Sequence, residues 1–142
     1  MCRDGLPGSF ATLVYLELKP DSGQVRVLNA GHLPPITLQG GKLERLPPVA
    51  PPLGALPDAV YAEQRVEIEP GGLLVVYSDG LTEARNDKGE FFGEERLSAM
   101  LPELRGLTAS ELGSRLLAEV ESFVGDERFS DDLSLALLMR LS

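Results

Sequence analysis

At 142 residues and 43% apolar, the chain is long enough for one hydrophobic core and too apolar to remain disordered, so residues 1–142 read as one domain. The formal net charge is −9, from 22 acidic and 13 basic residues, and the basic ones are scattered (Lys19, Arg26, Lys42, Arg45, Arg65), which excludes a nucleic-acid surface. No apolar run approaches the roughly 20 residues of a membrane span, Met1-Cys2-Arg3-Asp4-Gly5 lacks the apolar core of a signal peptide, and Cys2 is the only cysteine. The expectation is a soluble cytoplasmic protein without a disulfide framework or a cysteine zinc site.

Alternation over Phe10 to Leu18 predicts a strand, with Phe10, Thr12, Val14, Leu16 and Leu18 on one face. Ala11, Leu13, Tyr15 and Glu17 lie on the other. Both faces are mainly apolar at first, which predicts a strand well covered by neighbours. Pro20-Asp21-Ser22-Gly23 signals a turn into a second strand, Gln24 to Asn29, giving a hairpin. Ile36 to Gln39 and Lys42 to Leu46 flank Gly40-Gly41 and predict a shorter hairpin. Pro47, Pro48, Pro51, Pro52 and Pro57 make the next stretch an extended loop, since proline has no N–H to give to a sheet. Tyr61 to Ile68 reads as a strand, and the unbroken apolar run Leu73 to Tyr77 as a central strand buried on both faces.

The pattern then becomes helical. Leu97, Met100 and Leu101 share one side of a helix over 94–101, which Pro102 ends or kinks. Thr108 and Glu111 form a capping box for a second helix, with Leu107 and Leu112 as its hydrophobic staple. Leu112, Leu116, Val120 and Val124 follow at steps of four, with Leu117 beside them. A last strand over Leu133 to Leu141 alternates Leu133, Leu135, Leu137, Met139 and Leu141 on one face. Strands first and helices together near the end make an α+β pattern rather than a βαβ array.

Three segments carry chemistry. In Tyr77-Ser78-Asp79-Gly80 an aspartate sits at the tip of a buried strand, before a glycine. A carboxylate held there is a hard oxygen donor suited to Mg²⁺ or Mn²⁺; the same Asp-Gly pair is also an ordinary turn. In Ser130-Asp131-Asp132, adjacent carboxylates repel and need either solvent or a cation, and only one of the two faces a given metal easily. In Asn29-Ala30-Gly31-His32, the sole histidine precedes Pro34-Pro35. One histidine makes neither a histidine-rich zinc site nor a dyad without an activated partner, so its expected role is to organise a loop by hydrogen bonding. Ser9, Ser78 and Ser130 lie in no nucleophile-elbow pattern.

The order Phe10-Ala11-Thr12, Asn29-Ala30-Gly31-His32-Leu33-Pro34-Pro35, Pro52-Leu53-Gly54, Pro70-Gly71-Gly72-Leu73-Leu74, Tyr77-Ser78-Asp79-Gly80-Leu81-Thr82-Glu83-Ala84, Phe91-Phe92-Gly93-Glu94 and Asp131-Asp132-Leu133 resembles the SpoIIE-type domain of the PPM metal-dependent serine/threonine phosphatases, in its C-terminal portion. The resemblance implies a β-sandwich flanked by helices in α-β-β-α layers. It also implies two Mn²⁺ or Mg²⁺ ions held mainly by aspartates. Asp79 and Asp131 match family ligands, Asp132 is their neighbour, and Gly80, Asn29, Gly31 and His32 support the site. The family's early strands, its acidic Asp-x-x-Gly motif and the long helix after it do not appear in this sequence, and Asp4-Gly5 does not replace them.

The chain is therefore expected to be a truncated product, a fragment of a longer protein or a noncatalytic remnant, with an exposed sheet edge and a tendency to form homo-oligomers. By resemblance the partner is a phosphoprotein, such as an anti-anti-sigma-like regulator dephosphorylated at serine. The competing readings are a noncatalytic phosphatase-like regulatory protein and an unrelated β-rich interaction module.

Overall fold

The computed structural model describes residues 8–126 and 132–141. Among these described residues, seven strands form two antiparallel sheets, with three helices. The first sheet has the order β1 (Leu13–Lys19), β2 (Gln24–Ala30), β5 (Gln64–Glu67). The second has the order β4 (Lys42–Arg45), β3 (Ile36–Gln39), β6 (Leu73–Tyr77), β7 (Leu135–Met139). The helices are α1 (Asp79–Thr82), α2 (Gly93–Glu103) and α3 (Ala109–Val124).

The two hairpins follow from their turns. Gly23, Gly40 and Gly41 all take positive φ, which only glycine adopts without steric cost. Leu13 pairs with Ala30 at one end of the first hairpin and Lys19 with Gln24 at the other. β6 lies between β3 and β7 and is buried along nearly its whole length, as its unbroken apolar sequence requires.

Alternation along β6 divides the interior. Leu73, Val75 and Tyr77 join Leu97 and Leu101 of α2 and Leu112, Leu116, Val120 and Val124 of α3 in the larger core. Leu74 points the other way, into a smaller core with Val25, Val27 and Ile68 between the sheets. Leu135, Leu137 and Met139 of β7 face the helices with Leu133, as their shared parity requires, whereas Leu141 is exposed at the chain end. Among the described residues the layers run helix, sheet, sheet. Phe92 packs edge-on to Phe123 and ties the start of α2 to α3.

The α3 start matches its sequence signal: Thr108 Oγ1 accepts from the Glu111 N–H at 3.2 Å, and the Glu111 carboxylate accepts from the Thr108 N–H at 2.8 Å. Several boundaries differ from the sequence expectation. β1 begins at Leu13, not Phe10, because Ala11 makes an isolated bridge to Leu53. Nor is β1 well covered: it is an edge strand, and Leu13 and Tyr15 are 41% and 52% exposed on its outer face. β5 is confined to Gln64–Glu67, matching the four residues of β2 it pairs with. α2 includes Pro102 and ends one residue later, since a proline in the last turn forfeits one N–H bond without blocking what precedes it.

Candidate metal centre

Asp79 stands where β6 ends and α1 begins, with Ser78 as N-cap in an extended conformation. The helix is a single turn: the Glu83 N–H donates to the Asp79 carbonyl at 2.7 Å, and Thr82 Oγ1 donates to the same oxygen at 3.3 Å. Leu81 is fully buried and anchors that turn in the larger core, leaving Asp79 exposed at the rim. No described residue hydrogen bonds to or pairs with the Asp79 carboxylate.

The ends of β6 and β7 are laced together beside it. The Ser78 N–H donates to the Ser134 carbonyl at 2.9 Å, and the Ser134 N–H donates to Ser78 Oγ at 2.9 Å. Ser78 Oγ in turn donates to the Asp132 carbonyl at 3.3 Å. The backbone of Asp132 therefore runs alongside the residues that flank Asp79. Gly80 is buried and permits this approach, since any side chain there would strike Asp132. Asp131, expected beside Asp132, lies outside the described residues, as does Ser130.

Asn29 and His32 approach from the other sheet. Asn29 is 1% exposed, and its amide spans the loop that follows β2. Its Oδ1 accepts from the His32 N–H at 2.8 Å, and its Nδ2 donates to the carbonyls of His32 at 3.1 Å and Leu33 at 3.4 Å. His32 Nδ1 lies 3.1 Å from the Leu33 carbonyl. Gly31 has φ +69°, and a Cβ there would stand 2.4 Å from the Pro52 ring, so the proline loop closes directly over it. A hollow of about 150 Å³ is lined by His32 together with Ser78 and Ser134, which places the histidine loop at the same end of the sandwich as Asp79.

Sequence reasoning missed two supports. Ser78, considered only as a nucleophile, is the bridge between β6 and β7. Tyr77 is 2% exposed and donates its hydroxyl to Glu94 at 3.3 Å. Arg45 reaches Glu94 at 3.5 Å and Ser98 at 2.7 Å. Burial pushes the Tyr77 phenol above its ordinary pKa, and the neighbouring Glu94 charge adds to the rise. A buried tyrosine needs a hydroxyl partner, but neither Glu94 nor Arg45 is marked by spacing.

The family model for stage II sporulation protein E (SpoIIE) matches residues 1–141. The chain belongs to the SpoIIE family. Protein IcfG of Synechocystis is 37% identical over 93 residues, covering 65% of this chain and 15% of that protein. The SiaA-PP2C domain of Pseudomonas aeruginosa superposes with a TM-score of 0.72 at 22% identity, covering 85% of this chain and 48% of that one. The manganese-presoaked SpoIIE phosphatase domain of Bacillus subtilis gives 0.71 at 18% identity, covering 92% of this chain and 56% of that one. This SpoIIE-family chain thus has the PPM phosphatase fold and spans about half the length of these solved domains.

The donor chemistry at Asp79 is of the kind that suits a hard divalent cation. Asp79 offers carboxylate oxygens on a rigid strand end, the ligand type that Mg²⁺ and Mn²⁺ prefer. Among the described residues no group of three or more His, Cys, Asp or Glu side chains surrounds a common point.

Proposed function

We propose that this chain forms part of a metal-dependent protein serine/threonine phosphatase that hydrolyses phosphoserine on a bacterial signalling regulator of the anti-anti-sigma kind, in the cytoplasm. The observation that carries this reading is the exposed Asp79 carboxylate at the end of the central strand, beside the Asp132 backbone that Ser78 ties to β6. Membership of the SpoIIE family and the PPM fold support it.

Asp79 and Asp131 would hold Mn²⁺ or Mg²⁺, with Asp132 adjacent to the second ligand. Such ions, when bound, draw charge from phosphoryl oxygens and acidify water for attack on phosphorus. The chain's own contribution is placement. β6 fixes Asp79, Ser78 holds the Asp132 segment against it, and Gly80 keeps that approach open. Asn29 holds the His32 loop at the edge of the same region. No serine nucleophile is required, in keeping with the use of Ser78 as a strand bridge.

The test compares this chain with a longer version that includes the rest of the phosphatase domain, using a phosphoserine protein and millimolar Mn²⁺. Turnover is expected from the longer form, abolished by Asp79→Asn, and very low from the shorter one. Manganese binding that is unchanged by Asp79→Asn would remove the assignment. A longer form that binds the phosphoprotein without turnover would instead establish a noncatalytic regulator.

A further inference from the structure

The end of the four-stranded sheet remote from Asp79 carries a cavity that the phosphatase reading does not use. It opens where β6 begins and β7 ends, under the loop between α2 and α3, and has a volume of about 340 Å³. Cavities of roughly 300–1,000 Å³ with apolar walls and few polar groups are the usual form of small-molecule sites. Leu38, Leu73, Leu101 and Leu112, all nearly or fully buried, line its interior.

Gly40, Gly71 and Gly106 lie along its lining. A Cβ added at Gly71 or Gly106 would meet no atom within 4 Å, so both positions border open space. The charge of the lining runs against that of the whole molecule. In a chain of net charge −9, the charged residues lining the cavity are Arg105 and Arg140, and none of the described lining residues is acidic. Arg140 directs its guanidinium to the opposite side of the sheet, donating through Nη1 to the Ser22 and Ile68 carbonyls at 2.9 Å each, which leaves Arg105 as the cation available to the cavity. The exposed Arg105 guanidinium has no hydrogen bond or ion pair with any described residue. The Thr108–Glu111 cap occupies the Glu111 N–H and sets a carboxylate at the start of α3, so recognition of an anion here falls to Arg105.

We infer that this cavity binds an aliphatic carboxylate, with the hydrocarbon tail among the leucines and the carboxylate at Arg105. A guanidinium pairs with a carboxylate through directed, charge-assisted hydrogen bonds, and the tail gains by leaving water.

The experiment titrates sodium decanoate, below its micellar concentration and without divalent ions, into the full chain labelled at its methionine methyl groups. Met139 lines the cavity and reports occupancy. A saturable, one-to-one shift of Met139 is expected. Decanol should bind about tenfold more weakly, and Arg105→Glu should weaken decanoate by about tenfold while leaving decanol unchanged. Arg105 is exposed, so this variant tests recognition rather than folding. Absence of saturation, equal affinity for decanoate and decanol, or full decanoate affinity in Arg105→Glu would each overturn the inference. So would a shift confined to Met100, which lies on α2 outside the cavity lining.

Discussion

A Cβ placed on Gly80 would stand 2.2 Å from the Asp132 carbonyl oxygen and 2.8 Å from its carbon. The obstruction is backbone, which cannot turn aside as a side chain would. Gly80→Ala is therefore expected to push the segment leading into β7 away from α1 and to cost about 1–3 kcal/mol of stability. Urea denaturation measures the loss, and a parallel manganese titration should show weaker binding. An unchanged urea midpoint would mean that the two segments separate freely.

Asn29 and His32 form a second close pair. Asn29→Ala leaves the His32 N–H without its acceptor in a half-buried loop, at an expected cost of about 1–3 kcal/mol. Asn29→Asp keeps the acceptor but turns a carboxylate toward two carbonyl oxygens. That variant should be less stable at neutral pH than its Ala counterpart and should recover in acid, where the group is neutral. Denaturation curves at the two pH values separate these outcomes.

The α3 cap gives a pH dependence of definite sign. The Thr108 N–H, and then its hydroxyl, hold the Glu111 pKa below its ordinary value of 4.5. A depressed carboxylate stabilises the fold above its unfolded pKa, and that contribution disappears as pH falls through the lower folded value. Helix stability should therefore drop as the solution is acidified below 4.5. Glu111→Gln should flatten this part of the curve, while Thr108→Ala should lower stability by about 1 kcal/mol. Thermal melts across this range, read by circular dichroism, provide the check.

Among the described residues β1 has an unpaired edge, together with exposed Leu13 and Tyr15. Such edges pair with other chains unless charged or covered. The chain is expected to self-associate as concentration rises, and replacing both residues with lysine should restore a monomer. Sedimentation velocity over a concentration series decides it; a wild-type profile that stays monomeric throughout would contradict the expectation.

Much of the fold is written in local patterns. The unbroken run Leu73–Tyr77 marks the central strand, the glycine turns mark both hairpins, and Thr108 with Glu111 marks the start of α3. The exposure of β1 is not marked, because an apolar strand reads alike whether or not a neighbour lies on its outer face. Asp79 was legible as a carboxylate at a strand end, since that depends on adjacent residues alone. The Ser78 bridge and the Tyr77–Glu94–Arg45 chain depend on partners 17 to 56 residues away and leave no periodic trace. The cavity beside Arg105 is equally hidden, being assembled from β3, β6, β7 and the loop between α2 and α3.

β6 contributes to both cores, Leu74 to one and Leu73, Val75 and Tyr77 to the other. Neither core can open while the other stays intact without straining this shared strand. The amides of Leu73 to Tyr77 should accordingly exchange with deuterium only when the whole chain unfolds. Asp79 follows directly from that segment, so the candidate ligand is tethered to the slowest-opening part of the molecule, and local breathing of the outer hairpins leaves its position unchanged.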